Sequence, residues 1–137
     1  MRVLVDTCIW SQALRRKKPQ QHQPSVEQLT KLIEQKQVVM LGVIRQEILS
    51  GIQHEAQFER IRAKLRAFPD YPVTTTDFET AAQFYNLCRA NGVQGSDTDF
   101  LLCAIAHNYE FTILTADKDF QHFKKHLNFE LDLIEQL

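Results

Sequence analysis

Acidic side chains at four separated places, Asp6, Glu47, Asp99 and Asp117, carry the chemistry this sequence can offer. Asp6 ends the mostly aliphatic run Arg2 to Val5, and Asp117 follows a second such run, Phe111 to Leu114. Asp99 opens an apolar stretch, and Glu47 precedes Ile48 and Leu49, so it can turn into a cleft while they face a core. Carboxylates brought together repel one another and need a cation. Hard oxygen ligands without a supporting Cys or His pair suit Mg²⁺ or Mn²⁺ rather than Zn²⁺. His122 and His126 share helical spacing, but no Glu lies between them as in the H-E-x-x-H zinc motif.

Taken singly, each acid also has a structural reading. Asp6 and Asp117 can cap following helices, and Ser96 with Asp99 has the form of a capping box. Glu47 alone reads as a solvated helix charge. Four independent caps, however, have no reason to fall in an order and strand context that leads to one cleft, so the combination favours a site. Asp97 and Asp119 each lie two residues from a chosen carboxylate and compete with Asp99 and Asp117. Thr7 and Thr115 stand beside the acids, where a hydroxyl can bond a ligand oxygen or simply close a local turn.

The elements that must position these residues alternate along the chain. Arg2–Val5 reads as a strand buried on both faces, followed by a helix over Thr7–Leu14. Arg15 to Lys18 is the one concentrated basic patch, in a loop closed by Pro19 and Pro24, and can contact phosphates. Ser25 and Gln28 form a capping-box pattern ahead of a helix to about Lys36. Val38–Leu41 reads as a strand, Val43–Leu49 as a helix ended by Gly51, and Phe58–Phe68 as a helix stopped by Pro69. Val73–Thr75 is a short β-branched run, and Asp77 is expected to cap a helix with Ala81, Phe84 and Leu87 inward, ended at Asn91-Gly92. Ser96 begins a helix apolar nearly all round, expected to be central. Phe111–Leu114 and Leu131–Ile134 complete the strands. This alternation predicts a single α/β domain over residues 1–137, an open, doubly wound parallel sheet flanked by helices. In such sheets ligands bind beyond the carboxyl ends of the strands, where strand order reverses.

Bulk properties agree with a folded domain. The chain has 137 residues, 44% hydrophobic and 24% charged, enough apolar surface to offset chain entropy. A net charge of -1 gives no overall electrostatic signature of a nucleic-acid partner, although metal bound at an acidic site reverses the local sign. Cys8, Cys88 and Cys103 are too widely spaced for a C-x-x-C pair and no secretory signal is legible, which points to free thiols in the cytoplasm. The longest apolar stretch, Phe100 to Ala106, is far short of the ~20 residues that cross a bilayer, so no membrane association is expected. Trp10, beside Ile9 and Leu14, reads as a core or interface residue rather than a base-stacking platform.

Four segments in order resemble the PIN domains and, within them, the VapC toxins of bacterial type II toxin–antitoxin pairs. VLVDTCIW is similar to the family's opening strand and first aspartate, and VIRQEILSG to its glutamate-bearing helix. SDTDFLLCAIA resembles its D-x-L-I-A-A helix, and ILTADKDF its T-x-D-x-D-F segment. The resemblance spans nearly the whole chain. It implies an endoribonuclease using Mg²⁺ or Mn²⁺, with Asp6, Asp99 and Asp117 holding metal and Glu47 binding a second ion or activating water. It also implies an RNA substrate, a second copy of the chain, and a cognate antitoxin protein whose segment blocks the cleft. Cys8 departs from the Asn or Ser of many relatives.

Two rivals follow from the same features. A haloacid-dehalogenase-type phosphatase also begins with a strand ending in Asp, but wants a second Asp two residues on, where this chain has Cys8. The other is a noncatalytic PIN-like module that binds RNA or protein, a reading opposed by retention of all four acids.

Overall fold

Val3, Leu4 and Val5 form the first strand, and all three are buried, as a strand covered on both faces requires. The computed structural model describes residues 1–15 and 23–135. Its elements are β1 (Val3–Val5), α1 (Thr7–Leu14), α2 (Pro24–Glu34), β2 (Val38–Val39), α3 (Gly42–Leu49), α4 (Glu55–Leu65), α5 (Thr75–Ala90), α6 (Asp97–Tyr109), β3 (Thr112–Thr115), α7 (Asp119–Lys124) and β4 (Glu130–Leu133). The four strands make one parallel sheet in the order β2-β1-β3-β4. Leu4 pairs with Val39 on one side and Ile113 on the other. The α/β architecture expected from the alternation is the one observed.

Strand order decides where a site can form. From β1 the chain crosses through α1 and α2 to β2 on one side, then returns through α3 to α6 to β3 on the other side. The switch point therefore lies between the carboxyl ends of β1 and β3. Asp6 and Asp117 stand just beyond those two ends.

Helix α6 is the central element the composition predicts: Phe100 through Ala106 are all buried. Its approach to α7 is tight, because a Cβ on Gly95 would fall 2.6 Å from Phe123 Cζ and 3.0 Å from Phe100 Cε2. Glycine is thus required just ahead of the α6 cap. Trp10 is buried, edge-on to Phe68 at 5.1 Å, a core residue rather than an exposed platform.

Several local expectations are corrected. Ser25 does not cap α2; Gln23 occupies that position, Pro24 enters at the first turn, and the buried Ser25 hydroxyl donates to Gln12 Oε1 at 2.6 Å. Helix α2 ends at Glu34, and Lys36 takes a left-handed turn with φ 57°. Strand β2 stops at Val39; Met40 bridges to Asp70, and Leu41 becomes the residue that precedes α3. Val73–Thr75 is no strand, because Thr74 caps α5 and Asp77 completes the reciprocal box three residues later. Ala81 and Phe84 of α5 pack against the core as expected, but Leu87 is exposed and Cys88 is buried in its place. Arg15 is not a free phosphate ligand: its guanidinium donates to the carbonyls of Ile48 at 2.7 Å and Ser50 at 3.3 Å, tying α1 to the end of α3. Arg16, Lys17 and Lys18, the rest of the basic patch, lie outside the described residues. No helix among the described residues is long and apolar enough to cross a membrane.

Candidate active site

Asp6 is held by both of its oxygens at the end of β1. Its backbone N–H continues the sheet by donating to Leu114 O at 2.9 Å. Oδ1 accepts the Thr7 N–H at 2.8 Å, the capping contact expected of an Asp before a helix. Oδ2 accepts the hydroxyl of the fully buried Thr115 at 2.7 Å. That hydroxyl oxygen in turn accepts the Asp117 N–H at 3.0 Å, so one threonine on β3 fixes both the Asp6 carboxylate and the Asp117 backbone.

The remaining acids come from three further segments. Asp117 Oδ1 accepts the Asp119 N–H at 2.9 Å, which turns the chain into α7. Glu47, on α3, accepts the Thr7 hydroxyl at 2.6 Å, so Thr7 joins the first helix to the glutamate. Asp99 Oδ2 accepts the Ser96 N–H at 3.0 Å, and Ser96 Oγ accepts the Asp99 N–H at 3.0 Å, completing the capping box. The structural readings of Asp6 and Asp99 are therefore real, and they serve to orient the carboxylates. Among the described residues, Asp99 Oδ1, Glu47 Oε2 and Asp117 Oδ2 accept no protein hydrogen bond.

Asp6, Glu47, Asp99 and Asp117 line one open cleft of about 700 Å³ together with Thr7 and Cys8. No Lys, Arg or His is among the described residues that line it. Thr115 lies buried beneath, whereas Asp119 is exposed outside it and Asp97 faces a neighbouring cavity. Gln46, Ser50 and Thr98 also reach the cleft, though the sequence did not single them out. The signal was present: Val43, Gln46, Glu47 and Ser50 fall at helical spacing on one face of α3.

Burial and mutual repulsion set the electrostatics of the cleft. Burial raises the Asp6 carboxyl; the Thr115 and Thr7 hydrogen bonds oppose this, and the charges of Asp117 and Glu47 add to it. Burial likewise raises Asp99 against its Ser96 hydrogen bonds, with Asp6 and Asp117 adding repulsion. Burial also pushes the Cys8 thiol up, so it stands in the cleft as a neutral S–H and leaves the donor set all oxygen. That set fits a hard divalent ion. Among the described residues no three Asp, Glu, His or Cys side chains are gathered as a group that could hold a metal ion as they stand.

The fold and site together define a parallel α/β domain with carboxylates converging at its sheet's switch point. The family model for the PIN domain matches residues 3–126, and the chain belongs to that family, whose members are generally nucleases. The assignment sets aside the haloacid-dehalogenase alternative. Solved structures that share the fold include the following three. A chain in the crystal structure of VapBC2 from Rickettsia felis, bound to a DNA fragment from their promoter, superposes with a TM-score of 0.77 at 15% identity, over 98% of this chain and 100% of that one. A chain of FitAcB from Neisseria gonorrhoeae gives 0.74 at 18% identity, over 94% and 95%. A chain of FitAB bound to an IR36 DNA fragment gives 0.74 at 18% identity, over 96% and 94%. No curated protein is similar enough to count as a match.

Proposed function

We propose that this protein is a metal-dependent endoribonuclease, the VapC-like toxin of a type II toxin–antitoxin pair. The observation that carries the reading is the convergence of Asp6, Glu47, Asp99 and Asp117 on one cleft whose described lining holds no Lys, Arg or His. Asp6, Asp99 and Asp117 would hold Mg²⁺ or Mn²⁺, directly or through water. When bound, such an ion offsets charge on the scissile phosphate and lowers the pKa of a coordinated water.

The chain's own groups do the rest. Thr115 and the Thr7 N–H lock Asp6 in place, and Ser96 locks Asp99, so the ligands are oriented before substrate arrives. Glu47 positions and deprotonates the attacking water, its other oxygen steadied by the Thr7 hydroxyl, or it shares in a second ion. Asp97 and Asp119 lie outside the ligand set in this reading.

The partners are an RNA substrate, a cognate antitoxin and a second copy of the chain. The likeness to chains of VapBC2 and FitAB, both solved as named assemblies on DNA, supports a dedicated protein partner. Three free thiols suit the cytoplasm. The test is incubation of purified protein with a mixed RNA pool and Mg²⁺ or Mn²⁺, with EDTA and Asp6→Asn as controls. Cleavage that both controls abolish supports the nuclease. Intact RNA from folded protein that binds no metal would instead leave the noncatalytic binding module.

A further inference from the structure

Beside the carboxylate cleft lies a second cavity of about 510 Å³ between α5 and α6, and Val43 and Thr98 line both. We propose that this cavity receives the base next to the scissile phosphate and sets the sequence preference of cleavage. The inference rests on the nuclease reading above.

Its lining has the composition of a base-binding site. Tyr85 and Phe78 lie two turns apart on one face of α5 at i, i+7; Phe78 is 57% exposed, while Tyr85 is partly buried against the core. Base–aromatic stacking is worth about 1–3 kcal/mol and tolerates any base, so it supplies affinity rather than choice. Tyr85 is braced edge-on by Phe100 at 5.5 Å and carries the Arg89 guanidinium at 5.7 Å from its ring centre.

Choice comes from one of two polar groups at the same cavity. The Asn86 amide offers a donor and an acceptor, while the Asp97 carboxylate only accepts. An accept-only group favours a base with an exocyclic amine, as a carboxylate reads the N4 amine of cytosine, and disfavours the O4 edge of uracil. Asp97 thus belongs to substrate choice, and its position two residues before Asp99 on α6 puts the base beside the metal ligands.

The test has two readouts. Wild-type protein is titrated with the four nucleoside 5′-monophosphates and followed by NMR, which needs no cleavable bond. Perturbation of the Tyr85 and Asn86 amides is expected, stronger for CMP, AMP or GMP than for UMP. Cleavage of a randomised RNA pool is then sequenced for wild type, Asp97→Asn, Asn86→Ala and Ala82→Trp; Ala82 is exposed at the cavity wall, so its replacement fills the space without disturbing the core. Asp97→Asn is expected to flatten the bias against uracil at least threefold, Asn86→Ala to raise KM for all sequences, and Ala82→Trp to raise KM about tenfold. Active variants with an unchanged preference and KM would overturn the proposal, as would an Ala82→Trp protein whose only change is oligomeric state, since the face would then join two copies of the chain. Monophosphate binding at this cavity without any RNA cleavage would sink the nuclease reading and leave the base pocket standing.

Discussion

The Thr115 hydroxyl donates to Asp6 Oδ2 at 2.7 Å across 109 positions of sequence, and its oxygen accepts the Asp117 N–H at 3.0 Å. One buried side chain therefore couples the carboxyl ends of β1 and β3. Thr115→Val keeps the shape and removes both bonds. We expect it to lose about 1–3 kcal/mol of stability, the cost of stranding buried polar groups, and to weaken metal affinity about 10–100-fold. Urea melts and metal titration by calorimetry check this, and Thr115→Ser, which keeps the hydroxyl, should recover most of the affinity. Equal metal affinity in Val and Ser variants would refute the coupling.

Metal should stabilise the folded chain. Saturation at a hundredfold excess over Kd is worth about 2.7 kcal/mol, so Mg²⁺ or Mn²⁺ is expected to raise Tm by several degrees in wild type and far less in Asp99→Asn. The carboxyls of Asp6 and Asp99 are raised on folding, so the native state binds more protons than the unfolded chain. Their contribution therefore falls as pH rises from about 4 through their folded values, and the metal-free protein is relatively favoured on the acid side of that window. Differential scanning at several pH values, with and without the ion, tests both statements.

Asp117 and Asp119 should separate cleanly. Asp117 lines the cleft and Asp119 does not, so Asp117→Asn is expected to lower the cleavage rate by at least about a hundredfold and Asp119→Asn by less than about fivefold. Single-turnover rates on one RNA decide. A larger loss at Asp119 would exchange their roles.

Asp77 carries a structural charge rather than a catalytic one. Its buried carboxylate accepts from the Thr74 N–H at 2.9 Å, Asn108 at 2.9 Å and Tyr109 at 3.0 Å, stapling α5 to α6. Burial pushes its pKa up, but these donors outweigh it and the net shift is downward. The stability it contributes is present above the unfolded value near 4 and is lost as pH falls through the folded one. Asp77→Ala should therefore be destabilised at pH 7, with the gap from wild type closing below about pH 4. Denaturant midpoints across that range measure it, and a gap independent of pH would contradict the charged role.

Much of this arrangement was legible in the chain before folding was known. Alternating aliphatic runs and helical periods define the parallel α/β class because each pattern admits only one way to bury its apolar face. Asp6 and Asp117, placed just after strands, are directed to the switch point by topology, and they line one cleft with Glu47 from α3 and Asp99 from the first turn of α6. Short elements were harder. Ser25 and Thr74 have equal capping chemistry, yet Pro24 and the packing of Ser25 against Gln12 moved the start of α2, while Thr74 absorbed an expected strand. The choice between Asp117 and Asp119, the diversion of Arg15 to two carbonyls of α3, and the role of Thr115 beneath the cleft all depend on contacts between residues far apart in sequence. Periodicity records which face of an element is buried, but only the packed structure records what that face meets.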